Sequence, residues 1–296
     1  MPTCQVRLTA DRATAKRLAT VLEEAFEWEG YPVTREETPP YSGHWTVDTI
    51  VFDSDPHEAE AVVREALGAD APEEIAVALL DDATNWVALS EEIRKPIPVG
   101  RFFVHGSHDR GRAPQNARAI EIDAELAFGT GHHATTRVCL AAIDRLLATR
   151  RYARPLDLGT GTGLLAIAIA KLQGIKVLAT DVDPVAVTIA RRNADFNGVG
   201  RFVETLVANG MAHRRISERE PYDLVVANIL ARPLMKLARP IALALAPKAT
   251  VILSGLRISD APRVLSAYRT QGLSLSWSIT EDDWMALILE KGRGRA

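Results

Sequence analysis

The sequence predicts an α/β protein built on a mostly parallel sheet covered on both faces, with a smaller α+β domain ahead of it. Beyond Ala119, short apolar runs alternate with helical runs, the rhythm of a parallel sheet. A glycine-rich turn joins the first of those strands to its helix in "PLDLGTGTG". Before them, the first eighty or so residues read strand, helix, strand, strand, helix, strand, the split βαβ or ferredoxin-like plan.

In the first part "CQVRLTA" alternates apolar and polar residues, so it is a strand with one buried face. "DRATAKRLATVLEEAFEW" opens on an N-capping Asp and continues at helical spacing. "YPVTREET" and "HWTVDTIVF" flank the turn-forming "PPYSG", "DPHEAEAVVREAL" is a second helix and "EIAVALL" a last strand. Then "KPIPVG" and "HGSHDRGRAP" interrupt the periodicity, so this stretch reads as a linker with some short structure, in which Trp86 opens a short helix, "NWVALSEEIRK". The expected organisation is a substrate-recognition domain over 1–83, a linker over 84–118 and a catalytic domain over 119–296. In the last of these, "LLAIAIAKLQ", "VAVTIARRNADFNG", "LMKLARPIALAL" and "SDAPRVLSAYRTQG" each follow a strand. "LSLSWSIT" and "WMALILEK" lack a helix between them and predict an antiparallel finish to the sheet.

Composition narrows the function. The 296 residues carry 35 Lys plus Arg against 38 Asp plus Glu, a formal charge of -3, which is not the footprint of a nucleic-acid or anionic-membrane binder. The first residues lack an apolar core for a secretory signal, and no apolar run approaches the ~20 residues of a membrane span, so a cytoplasmic protein is expected. Cys4 and Cys139 stand far apart and read as small buried hydrophobes rather than as a disulfide or zinc ligands.

The chemistry is concentrated around the glycine turn. Gly159, Gly161 and Gly163 lie between an apolar strand and a helix, where missing side chains and free amides admit a ligand to the backbone. In the dinucleotide fingerprint the third glycine would come one residue later, where this chain has Leu164. The next strand ends in Asp181, placed to accept both hydroxyls of a ribose, while Asp183 is the better N-cap ahead of Pro184. No Lys-Ser/Thr follows the glycines to hold phosphates. A nucleoside cofactor without phosphate is therefore expected. S-adenosylmethionine fits, and Asp157, just before the loop, can meet its ammonium.

The motifs "AFGTGHHATT", "DLGTGTGLLAIA", "DVDP", "VVANIL" and "LSGL" resemble those of the ribosomal protein L11 methyltransferases, a class I, S-adenosylmethionine-dependent family. The resemblance covers nearly the whole chain. It matches the family's first motif at residues 127–131, His133, Thr135 and Thr136. The fold it implies is a Rossmann-like, mostly parallel sheet with an antiparallel C-terminal strand behind a small ferredoxin-like domain. It also implies a lid over the cofactor in which Phe128 supplies apolar cover and Thr136 a hydroxyl. His133 shapes that lid or passes a proton. His132 reads as a solvated loop residue, and no third ligand accompanies the two histidines, so no metal is expected.

Asn228, at the end of "YDLVVANIL", resembles the first residue of the Asn-Pro-Pro-Tyr motif of methyltransferases acting on planar nitrogens. Its oxygen and a backbone carbonyl from the Asn228, Ile229, Leu230 stretch can accept N–H hydrogens and aim a nitrogen lone pair. No aromatic residue follows to stack on a base, which favours a flexible aliphatic amine. The adenine contact falls to Asn209, in "TLVANGMA", or that residue is only an Asn-Gly turn. The implied substrate is ribosomal protein L11, methylated on lysine side chains up to trimethyllysine, with its N-terminal amine as a further acceptor, by a monomeric enzyme. Alternatives are another protein or small-molecule amine as acceptor, or an RNA-reading N-terminal domain, although the aromatic-rich RNA-recognition signature is missing from its strands.

Overall fold

The computed structural model describes residues 3–26, 31, 33–38, 42–52, 54–80, 96–114, 118–122 and 134–292. The chain divides into two compact units, Met1–Glu92 and Ile93–Ala296.

The first unit runs β1 (Thr3–Asp11), α1 (Arg12–Ala25), β2 (Val33–Glu37), β3 (His44–Val51), α2 (Pro56–Leu67) and β4 (Ala76–Leu80). Its four strands lie in the order β2-β3-β1-β4, antiparallel throughout, which is the split βαβ arrangement. Alternation in β1 sends Cys4, Val6 and Leu8 to the helix-covered face, where they meet Leu18 and Leu22 of α1 and Val63 of α2. Each helix begins on an aspartate. Asp11 accepts from the amides of Ala13 and Thr14, and Asp55 forms a reciprocal capping box with Glu58 ahead of Pro56.

The second unit opens with a small sheet of β5 (Ile97–Val99), β6 (Phe102–His105) and β7 (Arg118–Glu121), so two short strands lie within the stretch read as a linker. The short strands escaped the sequence reading because Pro98 and the glycines around them mask any periodicity. The sheet is tied to the rest of its unit. Asn197 exchanges two hydrogen bonds with the Glu121 main chain, at 3.0 and 2.8 Å, and Lys171 Nζ donates to the Ala119 carbonyl at 2.6 Å. The Trp86 helix lies outside the described residues.

The remaining elements are α3 (Ala134–Thr149), β8 (Pro155–Leu158), α4 (Leu164–Gln173), β9 (Val177–Asp181), α5 (Pro184–Phe196), β10 (Val203–Val207), α6 (Arg214–Ser217), β11 (Tyr222–Asn228), α7 (Ala231–Ala244), β12 (Leu245–Arg257), α8 (Ala261–Arg269), β13 (Leu273–Glu281) and β14 (Trp284–Lys291). Seven strands form one sheet in the order β10-β9-β8-β11-β12-β14-β13. All pairs are parallel except those of β14, which closes the sheet as the expected antiparallel hairpin with β13. Two apolar layers cover it. Val138, Ile143, Leu164, Ile167 and Val226 belong to one, and Leu156, Leu158, Val225, Leu234 and Tyr268 to the other. Helix α3 was not anticipated, since Thr135 and Thr136 read as part of a glycine turn; in the structure they stand in its first turn, both buried. Cys4 and Cys139 are free and buried in separate units. Among the described residues, no helix is long and apolar enough to cross a membrane.

Because both Glu121 bonds pass through one side-chain amide, Asn197→Ala is expected to lower stability by roughly 1–3 kcal/mol. Equilibrium urea denaturation checks this; an unchanged midpoint would show that the two Asn197 bonds contribute nothing to holding the small sheet.

Candidate functional site

The sheet changes direction of winding at β8. The chain leaves β8 for β9 and β10 on one side, then crosses back to place β11 and β12 on the other. A crevice outside the carboxyl ends of the strands is the expected ligand site at such a switch point. The register sets its walls. Leu158 pairs with Thr180 and with Ala227, and Asn228 pairs with Ser254, so the glycine turn, Asp181 and Asn228 emerge at one edge.

The glycine turn is built from main-chain bonds. Gly159 and Thr160 both donate to the Thr180 carbonyl at 2.8 and 2.9 Å, and Gly163 donates to the Thr160 carbonyl at 2.9 Å. Gly159, Gly161 and Gly163 have φ of 73, 53 and 84°, the left-handed region that other residues enter at a cost. Two of these glycines also serve the protein's own packing. A β-carbon on Gly159 would stand 2.3 Å from Ile229 Cγ2, and one on Gly163 would meet Ala190 of α5 at 3.0 Å. Ligand approach is therefore not the sole reason for glycine there.

Asp181 is held from two directions. Its Oδ2 accepts from Gly161 N at 2.9 Å and its Oδ1 from Asp183 N at 3.1 Å, while Asp183 caps α5 through Val185 N at 2.8 Å. The division of labour between the two aspartates thus has a structural basis, with Asp181 facing the turn. The Ala208 amide donates to the Asp181 carbonyl at 2.8 Å and brings the end of β10 alongside. Asn209 follows, exposed, in a turn that Gly210 completes at φ 56°.

Asp157 is fully buried, facing the layer opposite to its neighbours Leu156 and Leu158. Its Oδ2 accepts from Thr160 Oγ1 at 2.6 Å and Ala166 N at 3.1 Å; its Oδ1 has no donor among the described residues. Burial pushes its carboxyl up to about 6, with the nearby charge of Asp181 adding to the rise and the Thr160 and Ala166 donors opposing it. A buried carboxylate oxygen without a donor is a place for a cation. Such a site fits the ammonium of S-adenosylmethionine, as the Asp181 carboxylate fits a ribose.

Across β8, Asn228 Nδ2 donates to Thr136 Oγ1 at 3.4 Å, and its Oδ1 is buried without a donor among the described residues. Ile229 is half-buried, its N–H donating to the Ser254 carbonyl at 3.2 Å; Leu230 is 48% exposed and precedes α7. Phe128, His132 and His133 lie outside the described residues. Asp157, Gly159, Gly161, Gly163, Asp181, Asn228 and Thr136 are thus gathered at this edge, with Asn209 on the turn beyond β10. Thr160 and Ser254 escaped the sequence reading. The spacing of Thr160 three residues after Asp157 was its only local signal; the bond of Ser254 comes from the register of β12 with β11.

The raised pKa of Asp157 has a definite sign. The folded state holds the proton more tightly than the unfolded chain, so the stability Asp157 contributes is complete below pH ~4 and is lost as pH rises through about 6. In the absence of ligand, Asp157→Asn is expected to gain stability relative to the parent as pH rises from 4.5 to 7. Urea midpoints at both pH values test it; a pH-independent difference would contradict the burial argument.

The family model "Ribosomal protein L11 methyltransferase (PrmA)" matches residues 5–292. A ribosomal protein L11 methyltransferase of Brucella suis is 45% identical over 282 residues, spanning 95% of this chain and 97% of that one. The Bradyrhizobium diazoefficiens protein of the same name is 46% identical, spanning 94% of each. The crystal structure of a ribosomal protein L11 methylase from Lactobacillus delbrueckii subsp. bulgaricus superposes with a TM-score of 0.60 at 28% identity, covering 67% of this chain and 99% of that one. A match running through both units, with relatives covered almost end to end, leaves one conclusion: the chain belongs to the ribosomal protein L11 methyltransferase family, a family of S-adenosylmethionine-dependent enzymes.

Proposed function

We propose that this chain transfers methyl groups from S-adenosylmethionine to amines of ribosomal protein L11: lysine side chains and the N-terminal amine, up to trimethylation. The observation that carries the reading is the buried Asn228 Oδ1, left without a donor at the strand edge that also bears Asp157 and Asp181. Burying an acceptor without a partner costs about 1–3 kcal/mol, which an incoming N–H repays. The amide is turned the right way for this, since Thr136 takes its Nδ2–H.

When bound, the cofactor supplies an electrophilic methyl group on a sulfonium. The roles assigned to the chain follow from its donors and acceptors. Asp157 Oδ1 accepts from the ammonium, Asp181 from the ribose hydroxyls, and the Gly159, Gly161 and Gly163 turn carries the methionine side. Asn209 meets the adenine, and Phe128 and His133 close over the cofactor. Thr136, whose oxygen accepts from Asn228, keeps its hydroxyl hydrogen for the cofactor. Asn228 Oδ1 and the Ile229 carbonyl take the amine hydrogens, and Leu230 flanks the entrance. A lysine of ordinary pKa about 10.4 must arrive neutral, and desolvation beside a cation drives its proton off. Proximity then supplies most of the rate. The first unit docks L11, the enzyme works as a monomer in the cytoplasm, and no nucleic acid takes part.

Asn228→Ala is expected to slow single-turnover methylation of purified L11 by one to three orders of magnitude, about 1.4–4 kcal/mol, with a smaller change in cofactor affinity. Turnover at the parental rate would remove Asn228 from acceptor orientation. Deleting the first unit through residue 92 should leave cofactor binding intact and abolish transfer to L11. Full activity of the shortened protein on L11, measured against a panel of free amines, would refute the docking role.

A further inference from the structure

Residues 253–256, the "LSGL" that the family resemblance singles out, have no part in the reaction as described so far. They lie against the turn that carries Asn228. Ser254 accepts the Ile229 amide at 3.2 Å. Next to it Gly255 has φ 77°, and a β-carbon there would stand 2.5 Å from the Ile229 carbonyl oxygen, 2.7 Å from its carbon and 2.9 Å from its nitrogen. These are main-chain atoms, so no rotamer change relieves the contact.

The other flank of Ile229 is just as close. A β-carbon on Gly159, the first glycine of the cofactor turn, would lie 2.3 Å from Ile229 Cγ2. Ile229 is therefore seated between two glycines, its main chain on β12 and its side chain on the turn after β8. Ser254 Oγ reinforces this arrangement, its one hydroxyl hydrogen shared between the Met285 carbonyl at 3.0 Å and the Thr135 carbonyl at 3.3 Å. It links β12 to β14 and to the first turn of α3, where Thr136 holds the Asn228 amide.

We propose that the side chain of Ile229, distinct from the carbonyl that faces the amine, has a positioning role: with the residue clamped between Gly159 and Gly255, it sets the spacing between the cofactor turn and the amine-orienting Asn228. The inference rests on the reading of Asn228 given above. Its physical basis is that in-line transfer needs reacting atoms about 3–3.5 Å apart, and a misplacement of about 1 Å costs on the order of a hundredfold in rate. The cofactor turn follows β8 and Asn228 ends the adjacent β11, and the Ile229 side chain reaches from one to the other. The glycines at 159 and 255 are then required by this contact as well as by their backbone angles.

The test uses the full chain, with cofactor affinity read by calorimetry on S-adenosylhomocysteine and transfer read as single turnover on purified L11 at saturating cofactor. Ile229→Ala is expected to lower the transfer rate about tenfold or more while KM for L11 and cofactor affinity stay within about threefold. Ile229→Val, which retains Cγ2, is expected to keep near-parental transfer. Gly159→Ala should cost much more in the parent than in the Ile229→Ala background, where the Cγ2 it would strike is gone. Parental transfer by Ile229→Ala, or an equal cost of Gly159→Ala in both backgrounds, would overturn the proposal. The two Ile229 variants alter only a half-buried side chain and keep the test readable if Gly159→Ala does not fold. Asn228→Ala, assayed alongside, reports separately on the amine-orienting role.

Discussion

Parallel pairing of β8 with β9 on one side and β11 on the other is the constraint from which the site follows. Leu158 opposes both Thr180 and Ala227, so the chain leaving β8 must turn in the space between two other strand ends. Only a turn with left-handed residues and no side chains in the way fits there, and the main-chain bonds from Gly159 and Thr160 to Thr180 close it. Both carboxylates assigned to the cofactor are referred to that turn, Asp157 through Thr160 and Asp181 through Gly161, and the acceptor side meets it through Ile229 against Gly159.

The energetics of the site are those of deliberate incompleteness. Buried polar atoms are normally paired, and an exception calls for an explanation. Two lie here, Asp157 Oδ1 and Asn228 Oδ1, each an acceptor whose partner oxygen or nitrogen is tied down by the protein. Holding one atom of each group fixes the direction of the other. Burial raises the Asp157 carboxyl, and a cation brought beside its free oxygen would offset that rise.

The first unit stands apart in its chemistry. Its core is an ordinary apolar layer between two capped helices and four antiparallel strands, and the orphaned acceptors of the cofactor site belong to the second unit.

Much of this was legible in the residues themselves. The strand and helix order of the first unit, the strand–helix alternation of the second from β8 onward, the antiparallel finish and the capping aspartates follow from local periodicity and composition, which act within a few residues. Glycines in a strand-to-helix turn, with a carboxylate at the end of the next strand, pointed to a nucleoside without phosphate for equally local reasons. The strands around Pro98 and helix α3 did not declare themselves, because turn-forming residues hide short strands and the glycine turn that precedes α3 masks its start. Above all, the tertiary structure alone decided the contacts that cross between strands: Ile229 between Gly159 and Gly255, Ser254 bonded to Thr135, Asn228 turned by Thr136. These residues are 70 to 119 positions apart along the chain or belong to strands whose neighbour order no local pattern encodes, so only the assembled sheet brings them within bonding distance.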